Sequence, residues 1–169
     1  MDTVVFSAGF TSYNINHIIY AGPAGRVPED RRTNAVTHSF KIITSLGVAY
    51  CGYKSEEDAR QARERLENML ESHKKALFRH GFETLDPRAI VSFGSTLQLK
   101  KPQRDRTHAI IVTMRSCDQQ KNAVWLLFKS EESARAALRG LYGVMKAANE
   151  AAWLKPSGAH EPLVNECCS

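Results

Sequence analysis

Lys54-Ser55-Glu56-Glu57 returns, seventy-five positions later, as Lys129-Ser130-Glu131-Glu132. When Tyr53 to Leu66 is aligned with Phe128 to Leu141, eight of fourteen positions are identical: the Lys-Ser-Glu-Glu run itself, Ala59 with Ala134, Arg60 with Arg135, Ala62 with Ala137 and Leu66 with Leu141. That density of matches reads as a unit written twice. In each copy an apolar strand-forming run precedes the motif and a helical periodicity follows it, so the motif reads as a strand-to-helix joint. A serine at the helix N-cap accepts a hydrogen bond from a free first-turn amide, and the two glutamates meet the positive end of the helix dipole. The joint needs no ligand to explain it.

Upstream of the first joint, Val4-Val5-Phe6 is a short apolar run ended by Ala8-Gly9, an edge strand or the start of a hairpin. Asn16 to Ala21 is rich in strand formers and stops at Gly22-Pro23-Ala24-Gly25. A long loop then carries Arg26, Arg31 and Arg32 before Thr37-His38 opens a strand ending at Thr44, which turns at Ser45-Leu46-Gly47 into Val48 to Tyr53. Loops longer than about 12 residues in a compact domain are usually functional or disordered, which makes this one a candidate site. The second copy keeps the order. Ala89 to Gly94 answers His17 to Gly22 and runs on through Leu97-Gln98-Leu99. A basic loop of Lys100, Lys101, Arg104 and Arg106 follows, Thr107-His108 opens Ala109 to Met114, and Ala123 to Phe128 is the last strand.

After the first joint, Ala59, Ala62, Leu66, Met69, Leu70, His73 and Leu77 recur at three and four, which predicts one apolar helix stripe, stopped by Gly81, with Leu85-Asp86-Pro87 as a linker. The charged side of that helix, Arg63 included, reads as solvated. After the second joint the stripe is Ala134, Ala137, Leu138, Leu141, Met145 and Ala148. Gly140 and Gly143 lie inside that helix, where each costs roughly 1 kcal/mol relative to Ala, so close approach of another backbone is one reading and a loose helix the other.

The expected fold is α+β: two tandem strand-loop-strand-turn-strand-helix repeats, 1–81 and 82–155, forming a single domain 1–155, with 156–169 a flexible tail that holds Cys167 and Cys168. A unit of about 75 residues is marginal alone, so the repeats are expected to share one core around a pseudo-two-fold axis, with an antiparallel sheet and two long helices. In this element order the chain resembles the PUR-repeat single-strand binders, whose units are also duplicated, strand-rich and closed by a helix. The resemblance lies in architecture and brings no binding residue with it.

At 169 residues, 43% hydrophobic and 24% charged, the composition is that of a globular protein. No apolar run approaches the roughly 20 residues that span a bilayer, and Met1-Asp2-Thr3 begins no secretory signal, so a cytoplasmic protein with no membrane partner is expected. There is no zinc-type cysteine spacing, glycine-rich phosphate loop or nucleophile elbow; no metal or cofactor is expected. The net charge of +5 permits an anionic partner without requiring one.

The basic loops carry the functional signal. Arg26, Arg31 and Arg32 in one copy, and Lys100, Lys101, Arg104 and Arg106 in the other, stand at the same place in the repeat, each group just before a Thr-His pair with His38 or His108. Together these residues are the candidate nucleic-acid-binding set, engaging successive phosphates of single-stranded nucleic acid. Tyr20, Phe40, Phe93 and Trp125 are nearby aromatics, and Trp125, in an apolar strand, reads as core. Three function classes follow in order of preference. The first is a non-enzymatic nucleic-acid-binding module. The second is a protein-interaction or self-assembly module, such as a homodimer, using an open sheet face or the helix pair. The third is an enzyme using His38 and His108 as a pair.

Overall fold

The computed structural model describes residues 4–153, apart from Phe10, Lys75 and Arg104. The described residues form a mixed α+β fold, with two α-helices and several antiparallel sheets. A leading hairpin, β1 (Val5–Ala8) and β2 (Thr11–Asn14), is followed by a 3-10 turn at Ile15–His17 and then by β3 (Ile18–Ala21) and β4 (Gly25–Arg26). The strand expected from Asn16 therefore begins at Ile18, because the Asn14 side chain accepts from the Asn16 amide and caps the turn. A seven-residue pair follows, β5 (His38–Thr44) and β6 (Gly47–Tyr53), and then α1 (Glu56–His73). A second hairpin, β7 (Phe78–His80) and β8 (Glu83–Leu85), leads to β9 (Ile90–Phe93), β10 (Leu97–Gln103), β11 (Arg106–Met114), β12 (Ala123–Phe128) and α2 (Glu131–Trp153).

Both sheets are built around one long strand. β6 pairs with β5 along its whole length, from His38↔Tyr53 to Thr44↔Gly47, so the short β4 and β3 share the opposite edge of β5. In the other sheet β12 pairs with β11 from His108 to Thr113, leaving β10 and β9 to share its opposite edge. Period-two alternation sorts the faces. Phe40 and Ile42 point to α1 and pack with Ala62, Leu66 and Leu70, while Ile110 and Val112 point to α2 and pack with Ala134 and Leu141. The helices thus occupy separate clusters, each on its own sheet. The second cluster also takes in Ile19, Tyr20 and Ile43, so the sheets share buried surface. The loop after β11 strengthens this seam: the Cys117 amide donates to Ser45 O at 3.0 Å, and Lys41 Nζ donates to Lys121 O at 3.1 Å.

Both joints cap as serine chemistry dictates. Ser55 Oγ accepts from the Asp58 amide at 3.1 Å, and Ser130 Oγ accepts from the Ser133 amide at 3.2 Å.

Several expectations are corrected. The first helix ends at His73, well before Gly81, and a β7–β8 hairpin is added to the edge of the first sheet beside β3, so that Leu85 of the expected linker closes β8 and Asp86 caps a 3-10 turn at Pro87–Ala89. Gly81 has φ 58°, a left-handed conformation that suits the hairpin turn as well as it would a helix stop. Lys100 and Lys101 lie within a strand, β10, not a loop. Trp125 is half exposed, because Val124, Leu126 and Phe128 take the inward positions of β12 and leave it on the outer face. Among the described residues Gly140 meets only Phe78, at ordinary contact distance, and nothing approaches Gly143, so no backbone of the described residues packs closely at either. Arg63 is buried, not solvated. Leu154 and the tail, with Cys167 and Cys168, lie outside the described residues.

Candidate functional site

The long loop between β4 and β5 is folded back on itself. Its Thr33 and Val36 exchange two backbone hydrogen bonds, and Val36 sits over β6, where a Cβ on Gly52 would come within 2.8 Å of it. Glu29–Arg31 forms a 3-10 turn. Arg32, at the end of that turn, donates from Nε to Val27 O at 2.7 Å and from Nη1 to Glu29 Oε1 at 3.3 Å. These bonds hold the Arg32 guanidinium in place.

Arg26 on β4 stands directly opposite His38 on β5. Strand alternation puts His38 on the α1 face, and its Nε2 lies 4.0 Å from Glu56 Oε2 in the first turn of that helix. Arg26, Arg32, Thr37, His38 and Glu56 line one cavity of about 400 Å³. Three of the sequence-derived residues, Arg26, Arg32 and His38, thus converge. Arg31 does not line it; its guanidinium is exposed and 3.8 Å from Asp30.

Thr37 ties this site to the repeated joint. Its hydroxyl donates to Lys54 O at 2.6 Å and meets His38 Nδ1 at 2.9 Å. In the second sheet Thr107 donates to Lys129 O at 2.7 Å and meets His108 Nδ1 at 2.9 Å. A hydroxyl has one proton. With that proton given to the lysine carbonyl, each threonine oxygen accepts from its histidine, so both imidazoles carry hydrogen on Nδ1 and leave Nε2 bare when neutral. The two histidines stay in their own sheets, His38 opposite Tyr53 and His108 opposite Phe128.

The other basic residues are arranged differently. Lys100 and Lys101 are exposed on β10. Arg106 opens β11, donating to Leu127 O at 3.3 Å and lying 3.3 Å from Asp105, which also pairs with Lys129 at 2.7 Å. Arg104 lies outside the described residues. The cavity is lined by residues of the first sheet, its loop and α1 alone.

Of the aromatics, Tyr20 and Phe40 are core. Trp125 faces outward opposite Ile111, and Tyr50, which stands seventy-five positions before Trp125, faces outward opposite Lys41. Tyr50 was not singled out in the sequence; its offset from Trp125, the same as that between the two joints, is the signal that identifies it.

Two further groups escaped the sequence reading. Arg63 donates to the carbonyls of Ala21, Gly22 and Phe82 and to Thr84 Oγ1, at 2.8 to 3.3 Å, and pairs with Glu67. Its spacing from Ala59 and Leu66 puts it on the apolar stripe, a signal that charge alone concealed. Burial holds its pKa below the usual guanidinium value. Beside it, burial pushes the Glu83 carboxyl up to about 7, against the pull of a hydrogen bond from Tyr20 at 3.2 Å and of the nearby Arg106 and Arg63 charges.

No protein-family model, curated protein or solved structure matches the chain. Among the described residues no group of His, Cys, Asp and Glu is placed to hold a metal ion, and no helix is long and apolar enough to cross a membrane.

Proposed function

We propose that the chain is a nucleic-acid-binding module of two like halves related by a pseudo-two-fold axis, in which basic side chains at the sheet edges hold phosphates. The convergence of Arg26, Arg32 and His38 on one cavity carries the reading. A guanidinium pinned by its own loop is a preorganised phosphate donor, since little side-chain freedom remains to be lost on binding. Lys100, Lys101 and Arg106 extend the positive surface along the second sheet. The duplication is supported by the like neighbours of β5 and β11 and by the matched Thr-His-Lys hydrogen bonds.

The test is fluorescence anisotropy of labelled single-stranded and duplex oligonucleotides over a range of salt. Binding should weaken linearly in the logarithm of salt. Lys101→Ala should lower the slope by about one, as loss of one phosphate contact does. Arg26→Ala should weaken binding about tenfold, the size of one charge-assisted hydrogen bond. Absence of binding at low salt would overturn the proposal.

A second reading rests on the outer face of the second sheet. Leu97 and Trp125 are exposed there, with Ile111 and Leu127 half-buried between them, a continuous apolar strip on a face that no helix covers. A protein partner or second copy is its natural occupant. Sedimentation of the wild type and of Trp125→Ser separates the two: only an assembly module changes mass with that substitution.

A further inference from the structure

We infer that the Arg26–Arg32–His38 cavity takes a phosphate monoester, the terminal phosphate of a nucleic-acid strand, in preference to the diesters of its backbone. The inference rests on the nucleic-acid reading and specifies its ligand. Its first support is the fixed tautomer of His38. Thr37 gives its proton to Lys54 O and takes the Nδ1 hydrogen, so neutral His38 turns a lone pair on Nε2 toward the Glu56 side of the cavity. A backbone diester has no hydrogen to offer that nitrogen, and its oxygens would meet the lone pair head on. A monoester is different. Near its second ionisation, at a pH of about 6, it carries one hydrogen that can be donated as P–O–H to Nε2, or passed to it to leave a dianion beside an imidazolium. The proton count is the same in both descriptions, and no proton is drawn from solvent.

Charge gives the second support. The groups facing His38 are Arg26 from β4, Tyr53 from β6, Glu56 from α1 and Arg32 from the loop. Arg32 is paired with Glu29, so two guanidiniums against two carboxylates leave the site near neutral with His38 neutral. The added proton makes it positive beside the dianion that the transfer leaves. Glu56 then faces an imidazolium and opposes it less than it would a bare phosphate. A diester brings no such proton and, with one charge, is held less strongly than the dianion. The second sheet repeats the tautomer at His108, but there Gln98 of β10 stands opposite the histidine where Arg26 stands opposite His38, so the terminal-phosphate site belongs to the first.

The test compares single-stranded oligonucleotides of one sequence, fluorescein-labelled at one end and bearing either phosphate or hydroxyl at the other, at pH near 6.5. Both 5′ and 3′ phosphates are tried. One phosphorylated end should bind about tenfold or more tighter than its hydroxyl counterpart, the scale of a single charge-assisted hydrogen bond. The preference should shrink above pH 8, where the monoester has lost its proton. Arg26→Ala and His38→Gln should each abolish the preference. Because either variant can disturb the loop, the wild-type protein is also titrated with inorganic phosphate and followed by nitrogen NMR of its imidazoles: the His38 Nε2 resonance should move and that of His108 should not. Equal binding of phosphate-ended and hydroxyl-ended strands, with steep salt dependence, would overturn this inference and leave the nucleic-acid reading standing. A shift of His38 by inorganic phosphate with no binding of any strand would overturn the nucleic acid as the source. Absence of both responses would overturn the two readings together.

Discussion

At the first joint a threonine bonds a lysine carbonyl, orients a histidine, and stands beside a serine-capped helix; at the second joint the same four groups make the same contacts to within about 0.1 Å. What lies across the joint differs. Over the first, a two-residue strand and a folded loop bring two arginines down beside the histidine. Over the second, β10 runs on for seven residues and keeps its lysines along an exposed strand. The joint is a support that either arrangement can rest on, and the segments that lead into β5 and β11 are where the two sheets part. Matched residues therefore mark the frame that the two sheets have in common, and unmatched ones mark where they differ.

The sharpest way to break this comparison uses a helix position where a buried charge in α1 answers an apolar residue in α2. Arg63 corresponds to Leu138, seventy-five positions on. Arg63→Ala leaves the carbonyls of Ala21, Gly22 and Phe82 without their buried donor, and breaking such a buried charged network costs about 3–5 kcal/mol. Leu138→Ala, at a half-buried site, should cost about 1–2 kcal/mol by lost apolar contact. Denaturant unfolding monitored by circular dichroism reads both, and equal losses would mean that Arg63 is no more structural than its apolar counterpart.

The seam between the sheets gives the next effect. Burial raises Glu83 from an ordinary 4.5 to about 7, so the folded protein keeps a proton that the unfolded chain has released over that interval. This stabilisation is full below about pH 4.5 and is lost as the pH rises toward 7, the reverse of the usual carboxylate. On the order of 1–3 kcal/mol is expected, with solvent access trimming the upper end. Glu83→Gln should flatten the stability profile between pH 4.5 and 7; an unchanged profile would assign the slope elsewhere.

Ser55→Ala and Ser130→Ala test the sameness of the joints. Each should cost about 1 kcal/mol, typical of a lost N-cap, and the two losses should agree. A marked difference would show that the capped helices contribute unequally. The smallest effect is expected at Trp125, where Trp125→Ser should change stability by less than about 0.5 kcal/mol, because the side chain is half exposed. A larger loss would make the outer face structural instead of available.

The strands around each joint, both serine caps and both helices were legible, because each follows from local periodicity and turn chemistry. The convergence of Arg26, Arg32 and His38 was legible only as a shared neighbourhood of basic residues. Whether a loop gathers its arginines or scatters them depends on tertiary contacts such as Val36 on Gly52. Arg63 was misread because its charge outweighed its place on the apolar stripe, and Trp125 because an apolar strand has two faces of which one faces solvent. Gly81 illustrates another limit. A left-handed glycine serves a helix stop and a hairpin turn alike, and only the pairing of Phe78 with Leu85 decides between them.

That hairpin also decides where the chain can be divided. β7 and β8 belong by hydrogen bonds to the first sheet, yet His80 on β7 reaches across to donate to Leu127 O at 2.8 Å and lays its ring 4.2 Å from that of Phe128. At its far end Asp86, drawn below its usual value by Arg88 and Lys74 despite burial, fastens the exit of the hairpin to the end of α1. A cut at the midpoint suggested by the repeat would pass through the turn and strip an edge from one sheet and a buried ring contact from the other. Two sheets with matched joints are in this way not portable pieces: what joins them is a shared wall, and a fragment of either would carry that wall away incomplete.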